Sequence, residues 1–101
     1  PKLDGYRALA FVENGRVRLR SRNGQDLSRS FPAIVEELRA QQADLVFDGE
    51  LMALDEAGRP SFAAMQRRAQ LTGRAAEAAD ATTPAYFMIF DVLHFGGLNL
   101  R

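Results

Sequence analysis

Tyr6 to Glu13 and Arg16 to Arg22 read as two extended runs separated by Asn14-Gly15, the dipeptide that best accommodates the positive φ angles of a two-residue type I′ turn. The pattern predicts a β-hairpin in which Glu13 faces Arg16, Val12 faces Val17, Ala10 faces Leu19 and Ala8 faces Ser21. That register gathers small and apolar side chains on one face, which is the core. The other face carries Phe11 with Arg18, Leu9 with Arg20, and Arg7 directly across from Arg22. Arg22-Asn23-Gly24 makes a second turn. Ser30-Phe31-Pro32 then opens a helix with an apolar stripe of Ile34, Val35 and Leu38, while Glu36, Glu37 and Arg39 face water. Leu45 to Leu54 reads as a strand with Asp48 and Glu50 on one face and Gly49 between them, a position for a close backbone approach or a bulge. After a turn over Asp55 to Arg59, Ser61 caps a short helix with Phe62, Met65 and Ala69 on one side and Gln66, Arg67 and Arg68 on the other. Residues 72–84 lack a clear period and are expected to form a loop or loosely held helix ending at Pro84. Tyr86 to Phe95 is apolar nearly throughout, as in a strand buried on both faces, and Gly96-Gly97 stops it. The sum is an α+β fold, an antiparallel sheet with two short packed helices, in one domain without internal repeats.

Composition narrows the chemistry. In 101 residues, 47% hydrophobic and 26% charged, there is no cysteine and one histidine. Disulfide frameworks, thiolate nucleophiles and Cys or His zinc sites are excluded. The apolar runs are too short for a bilayer span and the start does not read as a signal peptide, so a soluble, cytoplasmic chain with no membrane partner is expected. Net charge is zero but uneven. Residues 1–30 hold seven basic against three acidic side chains, and residues 31–101 hold six against ten. A basic N-terminal third suits an anionic ligand. Twelve of the thirteen basic residues are Arg, so Lys2 stands apart. An amine can lose its proton and attack an electrophile, which guanidinium does not do, although a lysine near a terminus is also an ordinary frayed residue.

Several residue types suited to a nucleotide site come from separate segments: Lys2, Asp4, Gly5, Arg7, Arg22, Asp48, Glu50 and Phe90. A lysine can attack phosphorus, arginines can hold phosphate and ribose oxygens, a carboxylate pair can hold Mg²⁺ or a ribose hydroxyl, and an aromatic ring can stack on a base. Two arginines facing across strands are eased by an anion between them, or else splay into solvent. Asp48 and Glu50 fit a solvated edge equally well, and Phe90 in an aromatic strand fits a core.

The order of these residues is more specific than any one of them. Pro-Lys-Leu-Asp-Gly-Tyr-Arg at 1–7, Ser-Arg-Asn-Gly at 21–24, Asp-Gly-Glu-Leu at 48–51 and Phe-Met-Ile-Phe-Asp-Val-Leu at 87–93 resemble motifs I, Ia, III and IIIa of ATP-dependent DNA ligases. The resemblance runs nearly the whole length, and the Phe-Pro helix and the Asp55-to-Ala69 segment look like those of bacterial end-joining ligases. It implies a partial nucleotidyltransferase domain of ATP-grasp-like form. Motifs IV, V and VI and the OB-fold of the family lie beyond this stretch, so the 101 residues would correspond to about the first half of an adenylation domain, with exposed sheet edges able to self-associate.

By that resemblance, Lys2 is the nucleophile that attacks the α-phosphate of ATP, expels pyrophosphate and carries AMP through a phosphoramide bond. Asp4 positions the lysine or the metal, Gly5 permits the turn between them, and Arg7 and Arg22 hold phosphate and ribose oxygens. Glu50 meets the ribose or, with Asp48, Mg²⁺, and Phe90 stacks on adenine. The AMP passes to the 5′-phosphate of nicked or broken double-stranded DNA, and the 3′-hydroxyl displaces it, a reaction of DNA repair and recombination that implies end-joining proteins as partners. An RNA ligase or capping-type nucleotidyltransferase would share Lys2, Asp4 and Gly5. A non-catalytic nucleotide- or DNA-binding module would keep the pocket and never form the adduct.

Overall fold

The computed structural model describes residues 5–41 and 43–94. Lys2 and Asp4 lie outside them, as do Phe95 and Gly96-Gly97. The chain runs β1 (Tyr6–Glu13), β2 (Arg16–Ser21), α1 (Pro32–Arg39), β3 (Leu45–Ala53), α2 (Phe62–Ala69), α3 (Gly73–Thr82) and β4 (Ala85–His94). The strands form one antiparallel sheet in the order β2-β1-β3-β4.

The hairpin has the register read from the sequence, Glu13 opposite Arg16 through Ala8 opposite Ser21. Its turn has φ of 53° at Asn14 and 77° at Gly15, the left-handed pair that a type I′ turn demands. Strand β1 is central, and the period of two divides its side chains. Ala8, Ala10 and Val12 join Leu19, Phe47, Leu51 and Ala53 in a core closed by Leu27, Phe31, Ile34, Leu38, Ala64 and Met65. The helices therefore cover one face of the sheet. Arg7, Leu9 and Phe11 lie on the other.

Pro32 begins α1, where a missing N–H costs nothing, and Ser61 caps α2 by accepting from the Ala64 N–H at 3.1 Å. Between β3 and α2, the Asp55 carboxylate accepts from the N–H groups of Ala57 and Arg59 and closes the turn, with Leu54 bridging Pro60.

Two expectations are corrected, and one left open is decided. Residues 72–84, expected as a loop or a loosely held helix, contain a third helix, α3, whose buried side chains are Ala76 and Ala79. A seam that narrow leaves no hydrophobic period to read. Arg68 does not face water but is 1% exposed. It donates to the carbonyls of Thr83, Ala76 and Ser30, and at 2.5 Å to the Asp80 carboxylate, and its guanidinium lies 5.0 Å over the Phe31 ring. Asp80 also accepts from the Ala33 N–H at the start of α1, so this pair ties all three helices together. Finally, β4 is an edge strand, not one buried on both faces. Tyr86, Met88, Ile89, Phe90, Val92 and Leu93 are each 42% to 54% exposed. Its apolar content suits an interior position, and no described element lies beyond it.

Candidate functional site

The open face of the sheet brings together residues from three strands. Glu50 stands across from Arg7 and Asp48 across from Leu9, so Arg7 reaches Asp48 on the diagonal. The interaction is bidentate: Nε to Oδ1 and Nη2 to Oδ2, each 2.9 Å. Both side chains remain about one third exposed. The hydrogen bonds from Arg7 hold the Asp48 carboxyl below its ordinary range, helped by the charges of Arg7 and Arg22, and Asp48 in turn raises Arg7. The anion that relieves the paired arginines is thus a side chain of the protein itself.

A bulge brings in β4. Asp48 pairs with Asp91 and Gly49 with Ile89, so Phe90 is the extra residue on β4. Released from regular pairing, its ring lies 5.2 Å from the Arg7 guanidinium carbon. Both sequence readings of Gly49 apply here, because a Cβ at that position would stand 2.2 Å from the Met88 carbonyl oxygen. Gly5 is needed for a related reason. A Cβ there would meet the Leu51 carbonyl oxygen at 1.9 Å, so its lack of a side chain lets the backbone at Gly5 pass close against β3.

Glu50 is 7% exposed, and its Oε2 is buried with no hydrogen-bond partner among the described residues. A buried carboxylate oxygen without a donor is costly unless a ligand supplies one. Either a hydroxyl donor or a cation satisfies it.

Arg22 completes the group. Its N–H donates to the Arg7 carbonyl at 3.1 Å, continuing the hairpin by one bond. Arg7 and Arg22 line two hollows. One, of about 210 Å³, also includes Ala8, Leu9 and Asp48, and the other, of about 300 Å³, includes Tyr6, Ser21, Asn23, Gln25 and Phe62. A larger hollow of about 850 Å³ at the hairpin end contains none of the expected site residues. Convergence of polar groups, and not size, distinguishes the site.

The structure thus places Arg7, Arg22, Asp48, Glu50 and Phe90 on or beside one sheet face, with Gly5 at its edge. The pairing of Arg7 with Asp48 was not legible in the sequence, since it depends on the register between β1 and a strand some forty residues away. Tyr6 and Phe62 were also missed. Their rings, 5.6 Å apart, wall the second hollow, and Phe62 is 43% exposed where a core position was expected. Among the described residues no three acidic or histidine side chains cluster as a ready metal cage. No helix among them is long and apolar enough to cross a membrane.

The family described as ATP dependent DNA ligase domain matches residues 1–101. The multifunctional non-homologous end joining DNA repair protein LigD of Mycobacterium tuberculosis is 41% identical over 104 residues, covering 98% of this chain and 12% of that protein. DNA ligase C1 of Mycolicibacterium smegmatis is 38% identical, covering 99% of this chain and 30% of its own length. The chain therefore spans about an eighth and about a third of these two relatives. Among solved structures, a mycobacterial DNA ligase D complexed with ATP and MES superimposes with a TM-score of 0.61 at 39% identity, over 91% of this chain and 27% of that one.

Proposed function

Given that this chain belongs to the ATP-dependent DNA ligase family, we propose that it forms the nucleotide-holding face of a ligase adenylation domain, with ATP as its nucleotide. The observation that carries the reading is the buried Glu50 oxygen lacking a donor beside the Arg7–Asp48 pair and the Phe90 ring. That a similar mycobacterial ligase was solved with ATP supports the same choice.

On this reading Phe90 offers adenine the ring face that Arg7 does not cover. Two of the five guanidinium N–H donors of Arg7 are engaged by Asp48, leaving three for phosphate and ribose oxygens, with Arg22 beside them. Asp48 acts chiefly by fixing the plane of Arg7. Glu50 accepts from a ribose hydroxyl or takes part in holding Mg²⁺. The donor set fits Mg²⁺, which is commonly bound through one or two carboxylates together with substrate phosphates. Asp48 could join only through lone pairs that Arg7 leaves free. Held by Glu50 and the nucleotide's phosphates, Mg²⁺ would supply positive charge to offset that on the pyrophosphate leaving group.

On the same reading Lys2 attacks the α-phosphorus. The Nζ–P bond forms, the bond to the bridging oxygen breaks, and pyrophosphate leaves with that electron pair. The amine must first lose its proton, because only the neutral form carries the lone pair that attacks. The AMP then activates the 5′-phosphate of nicked or broken duplex DNA for sealing by the 3′-hydroxyl. End-joining repair proteins are the proposed partners, on the strength of the relatives' names, and the proposed setting is the bacterial cytoplasm with its DNA.

Intact-mass spectrometry after incubation with ATP and Mg²⁺ tests the proposal. The expected result is a gain of one AMP that Lys2→Ala abolishes. A folded chain that binds ATP without ever gaining the adduct would make it a non-catalytic nucleotide-binding module.

A further inference from the structure

Strand β2 carries a feature that the nucleotide site does not use. Its buried side chains are Leu19 and Ser21, with Val17 half-buried, so Arg16, Arg18 and Arg20 project from the opposite face. Arg22 continues the series at the next alternate position and lines the two hollows with Arg7. The Cα atoms of Arg16, Arg18 and Arg20 therefore follow one another about 6.7 Å apart along the sheet edge, and Arg22 follows in the turn just beyond Ser21. They run from the nucleotide pocket to the hairpin turn.

The stripe is partly preorganised. The Arg18 guanidinium lies 4.8 Å from the centroid of the Phe11 ring across the hairpin, which orients its plane. Arg20 donates one N–H to the Gly24 carbonyl at 3.2 Å, which ties its head to the second turn. Two carboxylates lie nearby. Glu13 stands across from Arg16, and Asp26, which bridges Arg20, accepts from the Ser28 N–H. Among the described residues, Arg20 and Arg22 make no ion pair within 4.0 Å. Held guanidiniums with donors left over lose less freedom on meeting an anion than free ones do.

We propose that Arg16, Arg18 and Arg20 form a track for the phosphate backbone of the DNA strand whose end reaches the adenylate pocket at Arg22. A single small anion could not meet charges spread over such a length, whereas a linear polyanion meets them in sequence. DNA is favoured over an acidic peptide because the stripe leads into the pocket where a nucleic-acid phosphate must arrive. This assignment rests on the ligase reading.

The test is fluorescence anisotropy of the chain with a nicked duplex, titrated over a series of salt concentrations. The Arg16→Gln/Arg18→Gln/Arg20→Gln variant should bind more weakly at low salt, with a log K against log salt slope shallower by about 2 to 3, or about 0.9 for each phosphate no longer neutralised. The AMP adduct formed with ATP alone should be unchanged, so failure of the ligase reading and failure of the track appear in different readouts. The matching Arg→Lys triple variant should keep the slope, which separates a charge effect from a folding defect. An unchanged slope in the Gln variant would overturn the proposal. So would displacement of the DNA by polyglutamate as readily as by unlabelled duplex.

Discussion

Arg7 meets two unlike partners, a carboxylate in its own plane and an aromatic ring beside it, and both hold it in one orientation. Glu50, directly across the sheet, has the opposite character, a buried acceptor with capacity unused. That contrast gives the sharpest single-residue test. Glu50→Ala should weaken ATP binding about tenfold or more, as expected for losing a hydrogen bond to a charged group. Glu50→Gln separates the two roles. It keeps an acceptor for a ribose hydroxyl but not the charge that attracts a cation. Calorimetric titration of ATP with and without Mg²⁺ reads the difference. Affinity retained in both conditions assigns the ribose, and loss of only the Mg²⁺-dependent part assigns the metal. Unchanged affinity in both variants would remove Glu50 from the site. Asp48 belongs to the same scale. Asp48→Asn keeps the shape but loses the charge-assisted fork, so Arg7 should become mobile and ATP affinity should fall, while Phe90→Leu should reduce affinity without altering the adduct's chemistry.

Elements differ in how openly the sequence announces them. The hairpin was readable to the residue because Asn14-Gly15 fixes the turn and the turn fixes the register. Helices α1 and α2 were readable from Pro32 and Ser61 with an apolar stripe behind each. Helix α3 stayed open between loop and helix, since its inner face is two alanines and an aspartate, and its place is set by Arg68 reaching from another helix. The same reason hid Arg68, which has the composition of a solvent-facing residue and the environment of a core one. Motif order made the site residues visible, while their mutual geometry depended on the β1–β3 register and on the bulge at Phe90. The helix clamp yields a stability prediction. Asp80→Ala leaves the Arg68 cation buried without its counter-charge and the start of α1 without an acceptor. Chemical denaturation should show a loss of about 3 kcal/mol, the scale expected for breaking a buried pair by removing one partner. A loss no larger than that of an exposed Glu77→Ala control would show that the clamp contributes nothing.

For the molecule as a whole, two properties follow from where charge and apolar surface lie. Asp48, Asp26 and Asp55 are all held below their ordinary range, Asp48 by hydrogen bonds from Arg7, Asp26 first by the Ser28 N–H and Asp55 first by the Arg59 N–H. Each therefore binds its proton more weakly folded than unfolded. Their contribution to stability is complete above the unfolded carboxylate range and is lost as pH falls through and below about 4. Denaturation midpoints measured against pH should decline on that acid side, and less steeply in Asp55→Asn. A decline of equal steepness in that variant would remove the Asp55 turn from the account. The second property is the apolar edge. Strand β4 pairs on one side with β3 and presents the backbone of its other side with six large apolar side chains at 42% to 54% exposure. Asp91 is the one acidic side chain along it, too little charge to blunt an edge of that length, which is a template for another strand. We propose that the isolated chain self-associates through it, strand to strand. Sedimentation across a wide concentration range should show mass rising with concentration, and Val92→Lys/Leu93→Lys, which puts a positive charge on each face of β4, should restore the monomer without unfolding it. A wild-type monomer at every concentration, with slow amide exchange along the outer side of β4, would mean that the edge is protected within a single chain.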